Sequence, residues 1–268
     1  MKKYAFRFSV DKTFSEGVTG HNFLLRCMPG AFSFQRTYAF KLTVKPFTPL
    51  THIVDVFDNE MYTGTLDRRH TAFSFEATGF VLCSKYLTHE PLDRVFCHPT
   101  SMTRPTEEMT RLISTLDLPE DPWSRAKMLC ALVHERFTLT EPVYARRTAA
   151  ESFTAGSGDV SDMAQILVTL CRLAGIGARY VSGLVCGVPI ACCWAEVYTD
   201  GVWRALDPAT GQPAEYGYLK IAHGTDVNAC LLERSVYRGM GEDVTETMTM
   251  SASVTEHVIT TRDTVPRA

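Results

Sequence analysis

The sequence lacks the long hydrophobic runs that membrane proteins need. No stretch approaches the roughly 18 consecutive apolar residues that indicate a transmembrane helix. The chain begins Met1-Lys2-Lys3-Tyr4, without the apolar segment of a signal peptide. We therefore expect a soluble, cytoplasmic protein that does not act at a membrane.

The sequence also lacks a strong charge of either sign. The formal net charge is -3, and lysine and arginine are scattered along the chain without forming a run. A nucleic-acid-binding protein usually carries a basic patch or stripe that neutralises phosphates. The charge pattern therefore predicts no nucleic-acid partner.

The nine cysteines include no Cys-x-x-Cys pair. Their number is odd, and several, such as Cys130 and Cys171, lie in apolar patterns, which is typical of reduced thiols packed as small hydrophobic groups. The one dense group, Cys186, Cys192 and Cys193, lacks a fourth ligand at zinc-binding spacing. Packing is favoured over metal binding, and no cofactor is predicted.

The sequence pattern predicts β strands in the first part of the chain and helices in the middle. Short alternating or apolar runs broken by turn residues predict an N-terminal antiparallel β domain over residues 1–90. The polar, proline-bearing stretch 86–105 is typical of a linker. Capping residues and periodic apolar residues then predict helices after Thr106 and Asp121.

A further helix is predicted from the loop at Gly158 to Ala174, where Gly175-Ile176-Gly177 ends it. A strand follows, and Asp200-Gly201 between two apolar runs predicts a β-hairpin. The second predicted domain covers residues 91–268 and includes C-terminal β strands.

Five motifs follow one another in this second part of the chain. They are Gly158-Asp159-Val160-Ser161-Asp162, the run Leu170 to Gly177, the run Ala178 to Gly183, Cys192-Cys193-Trp194-Ala195-Glu196-Val197-Tyr198, and Trp203-Arg204-Ala205-Leu206-Asp207-Pro208. In order and spacing they resemble the bacterial transglutaminase-like superfamily. The segment Asp55-Val56-Phe57-Asp58-Asn59 is similar to a turn of that family's N-terminal domain.

The resemblance implies an α+β fold, in which an N-terminal antiparallel β-sandwich-like domain precedes a transglutaminase-like (papain-like cysteine protease) core. It also implies the positions of a Cys-His-Asp triad. The family's nucleophilic cysteine falls on Val160, its histidine on Cys192 and its aspartate on Asp207. Only the aspartate is retained. Because triad members act as a unit, such losses typically cost on the order of a million-fold in rate.

Three hypotheses follow for function. The first is a non-catalytic, transglutaminase-like protein that binds a peptide or protein partner in the degenerate cleft. The second is a cysteine-dependent amidase, protease or acyltransferase with Cys192 as relocated nucleophile and His223 or Asp162 as base. The third places the nucleophile at Ser161 or Ser157, although a serine at a helix start is more often a cap. The first hypothesis is favoured because both the cysteine and the histidine of the family's triad are replaced, as is expected of a sequence that is no longer constrained by catalysis.

Other residues of the predicted cleft can be explained by a structural role as well as by a functional one. Trp194 and Trp203 are interpreted as core aromatics flanking the cleft, although they could also wall an acyl tunnel. Asp162 is expected to serve the helix N-terminus. Arg179 is predicted to pair with an acid such as Glu196.

Overall fold

The computed structural model describes residues 1–142, 146–239 and 244–257. The fold is α+β and strand-rich, as predicted, with one large antiparallel sheet and a second, five-stranded antiparallel sheet that carries the helices. Among the described residues, none of the helices has the length and apolar character needed to span a bilayer.

The large sheet is built around one long strand, β1. Its strands are β1 (Lys2–Leu25), β2 (Gln35–Lys45), β3 (Thr51–Val54), β4 (Glu60–Leu66), β5 (His70–Cys83), β13 (Glu233–Gly239) and β14 (Glu246–His257). The first half of β1 pairs with β5, and its second half pairs with β4. Buried Phe6, Phe8 and Val10 alternate with less buried residues, so one face of the strand lies in the core.

The two C-terminal strands belong to this N-terminal sheet. β13 pairs with the second half of β1, and β14 pairs with the first half, both antiparallel. The division into domains at residues 1–90 and 91–268 stays a prediction. The strand pairing nevertheless ties the end of the chain to its beginning, and it places β13 and β14 beside the second sheet.

The second sheet has the strand order β11-β10-β9-β8-β12, with every pair antiparallel. Its strands are β8 (Ala178–Val185), β9 (Ala191–Thr199), β10 (Val202–Asp207), β11 (Gln212–Pro213) and β12 (Tyr218–Gly224). The predicted Asp200-Gly201 turn joins β9 to β10. Both turn residues have positive φ, 53° and 79°, as a tight hairpin turn requires.

Within the described residues, four α-helices and two 3-10 helices complete the fold. They are the 3-10 helix Arg94–Cys97, α1 (Glu107–Thr115), α2 (Pro122–Arg136), α3 (Ala149–Ala155), α4 (Val160–Leu173) and the 3-10 helix Val227–Cys230, while Thr138–Leu139 (β6) and Ser157–Gly158 (β7) form a short parallel pair. Helix α4 is buried along most of its length, which makes it the centre of the second core. Thr106 and Asp121 cap α1 and α2, as predicted.

The interpretation of residues 86–105 as a linker was wrong. Tyr86 and Phe96 are buried, and Thr88 forms an isolated β-bridge with Trp203. The segment packs beside β10 because these aromatic side chains fill the space around Trp203 and Trp194. Its polar composition concealed the few apolar residues that anchor it.

Candidate functional site

The start of helix α4 is held by a reciprocal capping box. The carboxylate of Asp159 accepts the backbone N–H groups of Ser161 (2.9 Å) and Asp162 (3.1 Å), and Asp162 in return accepts the N–H of Asp159 (3.2 Å). The prediction that Ser161 is the cap was wrong, because Asp159 precedes it and takes that role. Asp162 serves the helix start as predicted. Two carboxylates therefore already satisfy N–H groups at this helix end.

Ser161 and Asp162 both have hydrogen-bond partners within the fold. The hydroxyl of Ser161 accepts a hydrogen bond from the phenol of Tyr180 (2.8 Å), and burial raises the pKa of that phenol well above its ordinary value. Asp162 accepts a hydrogen bond from Arg147 at 2.5 Å. A protonated phenol cannot take the proton of a serine hydroxyl as a general base does.

Val160, the first residue of α4, opens onto a groove of about 430 Å³. The groove lies between the start of α4, the β8–β9 hairpin and the C-terminal strands β13 and β14. The apolar residues that line it include Val160, Ile190, Ala191, Val227, Leu231, Leu232, Met248 and Met250. The position that the resemblance assigns to a nucleophile is therefore an aliphatic part of an apolar groove.

Cys193 and Cys230 line this groove, whereas Cys192 does not. Successive side chains of a strand point to opposite faces, and Cys192 lies on the far face with Trp194, only 8% exposed. Its thiol donates to the carbonyl of Ile190 at 3.7 Å. Burial, with a smaller contribution from the nearby charge of Asp207, raises the pKa of Cys192 to about 12. Burial raises the pKa of Cys193 as well.

Asp207 is the last residue of β10, and its carboxylate accepts hydrogen bonds from groups other than a histidine. Its carboxylate accepts the hydroxyl of Tyr218 (2.8 Å) and the backbone N–H of Ala209 (2.9 Å). Sequence analysis did not identify Tyr218 as a partner of Asp207. Burial outweighs these hydrogen bonds and raises the pKa of Asp207. The assignment of Val160, Cys192 and Asp207 as triad-equivalent positions stays a prediction.

His223 does not lie next to Cys192. His223 lies on β12, whereas Cys192 lies on β9, and strand β8 runs between them. The two residues are therefore separated by two inter-strand spacings of roughly 5 Å each. The imidazole Nε2 is 3.0 Å from Nη1 of Arg179, and aromatic rings surround it. Burial, with Lys220 and Arg179 nearby, lowers the pKa of His223 strongly. The imidazole is therefore neutral, and it contacts a cation rather than a thiol.

The two tryptophans are core residues rather than part of the groove. Trp194 and Trp203 are both fully buried. The indole N–H of Trp194 donates to the phenol of Tyr86 (3.2 Å), and the guanidinium of Arg179 lies 4.2 Å above the ring of Trp203. Neither lines the groove. This supports the packing interpretation over that of an acyl tunnel.

A buried ion cluster underlies these aromatics. Glu196 forms an ion pair with Arg179, as predicted, and accepts two hydrogen bonds from Lys220, each 2.9 Å long. The phenol of Tyr86 also donates to it, at 2.6 Å. Glu196 and Lys220 have fully buried side chains. Burial, followed by repulsion from Arg179, lowers the pKa of Lys220 to about 8.

Sequence analysis did not identify Lys220 or Tyr86 as members of this cluster. A lysine inside the otherwise apolar strand Tyr218 to Ala222 was the available signal, since a lysine is almost never fully buried without a partner. Within residues 1–142, 146–239 and 244–257, no group of three or more His, Cys, Asp or Glu side chains could hold a metal ion.

The geometry defines a class of protein. A buried helix packs on an antiparallel sheet, its N-terminal end opens onto a groove, and an acid ends a neighbouring strand. This is the arrangement of a transglutaminase-like, cysteine-protease-like core. Comparison with protein-family models agrees: residues 111–208 match the transglutaminase-like superfamily, and residues 4–82 match the bacterial transglutaminase-like N-terminal region. The two matches together support the transglutaminase-like superfamily for this chain.

Solved structures that match this chain have low sequence identity. A protein from Cytophaga hutchinsonii, described as a candidate cysteine protease, superposes with a TM-score of 0.77 at 17% identity over 97% of this chain and 93% of that one. The periplasmic domain of TgpA from Pseudomonas aeruginosa gives a TM-score of 0.41 at 15% identity, over 76% and 88% of the two chains. A comparison with curated proteins gives no match.

Proposed function

We propose that this chain is a non-catalytic, transglutaminase-like protein whose groove beside Val160 binds a peptide or protein partner. The observation that carries the proposal is the side chain at the start of α4. A valine there has no lone pair with which to attack a carbonyl, and it faces an apolar groove. An apolar groove without a reactive group at this position can still bind a ligand.

The alternative, an acyl-transfer enzyme that uses Cys192, has less support. A nucleophilic cysteine needs a lowered pKa and access to its substrate. Cys192 is 8% exposed, and burial raises the pKa of its thiol to about 12. The nearby carboxylate of Asp207 adds to that rise instead of opposing it.

The proposed partner is a protein or peptide rather than a nucleic acid or a membrane, since the net charge of -3 supplies no basic field. We also propose a cytoplasmic location. All nine cysteines are free thiols, as is usual in a reducing compartment.

Alkylation of the native protein tests the absence of a reactive thiol. With iodoacetamide near neutral pH, we expect exposed Cys97 and Cys186 to be labelled and Cys192 to remain unlabelled, because the thiolate is the reacting species. Mass spectrometry of the digested protein reads each site separately. The two exposed cysteines serve as internal controls for reagent activity.

A peptide-acyl probe that reacts with nucleophilic thiols extends this test to catalysis. We expect no stoichiometric labelling of the wild-type protein. Labelling that is lost in Cys192→Ala, while Cys193→Ala retains it, would overturn the non-catalytic proposal and establish the enzyme alternative.

A further inference from the structure

A buried histidine pair lies where three strands of the large sheet meet. His21 of β1 is fully buried, and its Nδ1 is 3.0 Å from Nε2 of His70 on β5. Its Nε2 is 2.8 Å from the hydroxyl of Ser235 on β13. The ring of His21 is surrounded by aromatic rings, those of Phe14, Phe23, Phe73 and Tyr237. Its two nitrogens therefore connect β5 and β13 through β1.

The hydrogen bonds indicate which ring nitrogens carry a hydrogen. Nδ1 of His70 is 2.8 Å from the backbone carbonyl of Arg68, so it must donate. Nε2 of a neutral His70 is then an acceptor, and Nδ1 of His21 donates to it. Nε2 of His21 in turn accepts the hydroxyl of Ser235. One hydrogen on each ring satisfies these contacts, so the pair fits together when both imidazoles are neutral.

Acid removes the acceptor on which this pair depends. If both rings take up a proton, Nδ1 of His21 and Nε2 of His70 each carry a hydrogen, and two donors face each other across 3.0 Å. Both rings are then positively charged, so they also repel each other. The contact between the two side chains cannot persist in that state.

Charged side chains connect the pair to the groove. Lys12 of β1 forms ion pairs with Glu233 of β13 (2.6 Å) and Glu246 of β14 (2.8 Å). The carboxylate of Glu233 is a second acceptor for the hydroxyl of Ser235. Lys12, Glu233, Ser235 and Glu246 all line the groove. The histidine pair therefore lies one hydrogen bond away from the groove wall.

The surroundings of His21 oppose a positive charge on its ring. Burial, followed by repulsion from His70 and Lys12, outweighs the attraction of Glu246 and lowers the pKa of His21 to about 4. The phenol of Tyr237 adds no charge, because burial raises its pKa. Separation of β13 from β1 would expose the ring, whose ordinary pKa is 6.5. The open junction therefore binds more protons than the closed one between pH 6.5 and about 4, and the closed form loses stability as the pH falls through that range.

We propose that the His21–His70 pair is an acid-sensitive latch that holds β13 against β1 while its rings are neutral and releases β13 when they take up protons. The register of these two strands shifts between Thr19 and Asn22, so the side chain of His21 ties them together where the backbone ladder is irregular. Because β13 forms part of one side of the groove, its release would widen the groove. The inference goes beyond the proposed function, since it concerns regulation of the groove and not its ligand.

Hydrogen exchange of the full-length protein measures the release of β13. The N–H of Arg26 donates to the carbonyl of Leu232 (2.8 Å), so alternation along the strands directs the amides of Arg234 and Val236 toward β1 as well. Their protection factors should fall by about twentyfold between about pH 7 and about pH 5, the factor for a group that titrates at 6.5 when open and at about 4 when closed. The amides of β9 should stay at least about tenfold better protected, because β13 opens locally.

Three variants assign the change to the pair. His21→Gln removes the buried titrating ring, so the change with pH should shrink to less than about twofold. His98→Gln, the same substitution at an exposed histidine, is the matched control and should retain the change of about twentyfold. His70→Gln removes a repulsive neighbour, so the pKa of His21 should rise, and NMR titration of the ring measures the rise.

The outcomes decide the proposal. A change in protection that persists in His21→Gln would overturn the latch. Equal loss of protection in β13 and β9 would also overturn it, because acid would then unfold the whole protein instead of releasing one strand. If His21→Gln does not fold, the titration in His70→Gln decides: an unchanged pKa of His21 would show that the two rings do not act as a pair, and the latch would be wrong.

Discussion

Replacing Glu196 with glutamine should destabilise the protein by about 3–5 kcal/mol, the usual cost of breaking a buried ion pair on one side. Glutamine keeps the shape of the side chain but leaves the fully buried Lys220 without its carboxylate partner. The amide would also direct N–H groups toward the cationic donors of Arg179 or Lys220. Urea unfolding followed by tryptophan fluorescence measures the loss, since Trp194 lies in the same cluster.

The matched control is Glu256→Gln, which breaks an exposed ion pair with Lys2. Such a pair contributes less than about 1 kcal/mol, so its loss should be close to the error of the measurement. Equal losses in the two variants would contradict a special role for the buried cluster.

The pH dependence of stability gives a second measure of the same cluster. Burial acts to raise the pKa of Glu196, but attraction by Arg179 and Lys220 overcomes it and lowers the pKa to about 2. The unfolded state therefore binds more protons than the native state between the ordinary value of 4.5 and about 2. The stabilisation from Glu196 is complete above pH 4.5 and is lost as the pH falls through that range. Glu196→Gln should flatten this part of the stability curve.

Local sequence signals predicted the elements that depend on neighbours in the chain. Asp121-Pro122 marked the start of α2, and Gly175, with a φ of 77°, ended α4 as expected. Asp200-Gly201 marked the hairpin. In each case the backbone conformation depends on residue types within a few positions of one another. A single sequence is therefore enough to predict these elements. The α+β class followed from these elements and from the family resemblance.

The pairing of β13 and β14 with β1 could not be predicted in the same way. Phe14 pairs with Glu246, more than two hundred positions later, and nothing in either local pattern specifies that partner. Strand pairing depends on which edges and apolar faces remain after the rest of the chain has folded. The missed pairing matters for the candidate site, because β14 forms one side of the groove.

The predicted site depends on tertiary structure in a similar way. Its residues were assigned along the chain by resemblance, which placed Cys192 opposite Val160. Strand alternation could have indicated that Cys193 shares a face with Tyr180 and Ser182, whereas Cys192 shares one with Trp194. Which of the two faces a helix covers depends on tertiary packing and not on the local sequence. The position of α4 on the Cys193 face therefore required the structure.

Val160→Trp should weaken binding of a peptide to the groove by about a hundredfold or more. An indole at the start of α4 would fill space in a groove of about 430 Å³ that the ligand needs. That loss corresponds to about 2.7 kcal/mol, the range of an interface hot spot. Val160 is only partly buried, so the added volume has room outside the core, and the unfolding midpoint should change little. Fluorescence anisotropy of a labelled peptide measures the change.

Two further variants distinguish occlusion from other effects. Val160→Ala removes apolar contact but leaves the groove open, so the Kd should rise only a few-fold. Val236→Trp places the same indole on exposed β13, where the wild-type valine is 65% exposed, and it should bind as the wild type does. If Val160→Trp bound the peptide normally, the ligand would lie elsewhere on the molecule. If Val160→Ala were as defective as Val160→Trp, the loss would report a direct contact rather than blocked space. The first outcome would overturn the assignment of this groove as the binding surface, and the second would replace occlusion by direct contact as the cause of the loss.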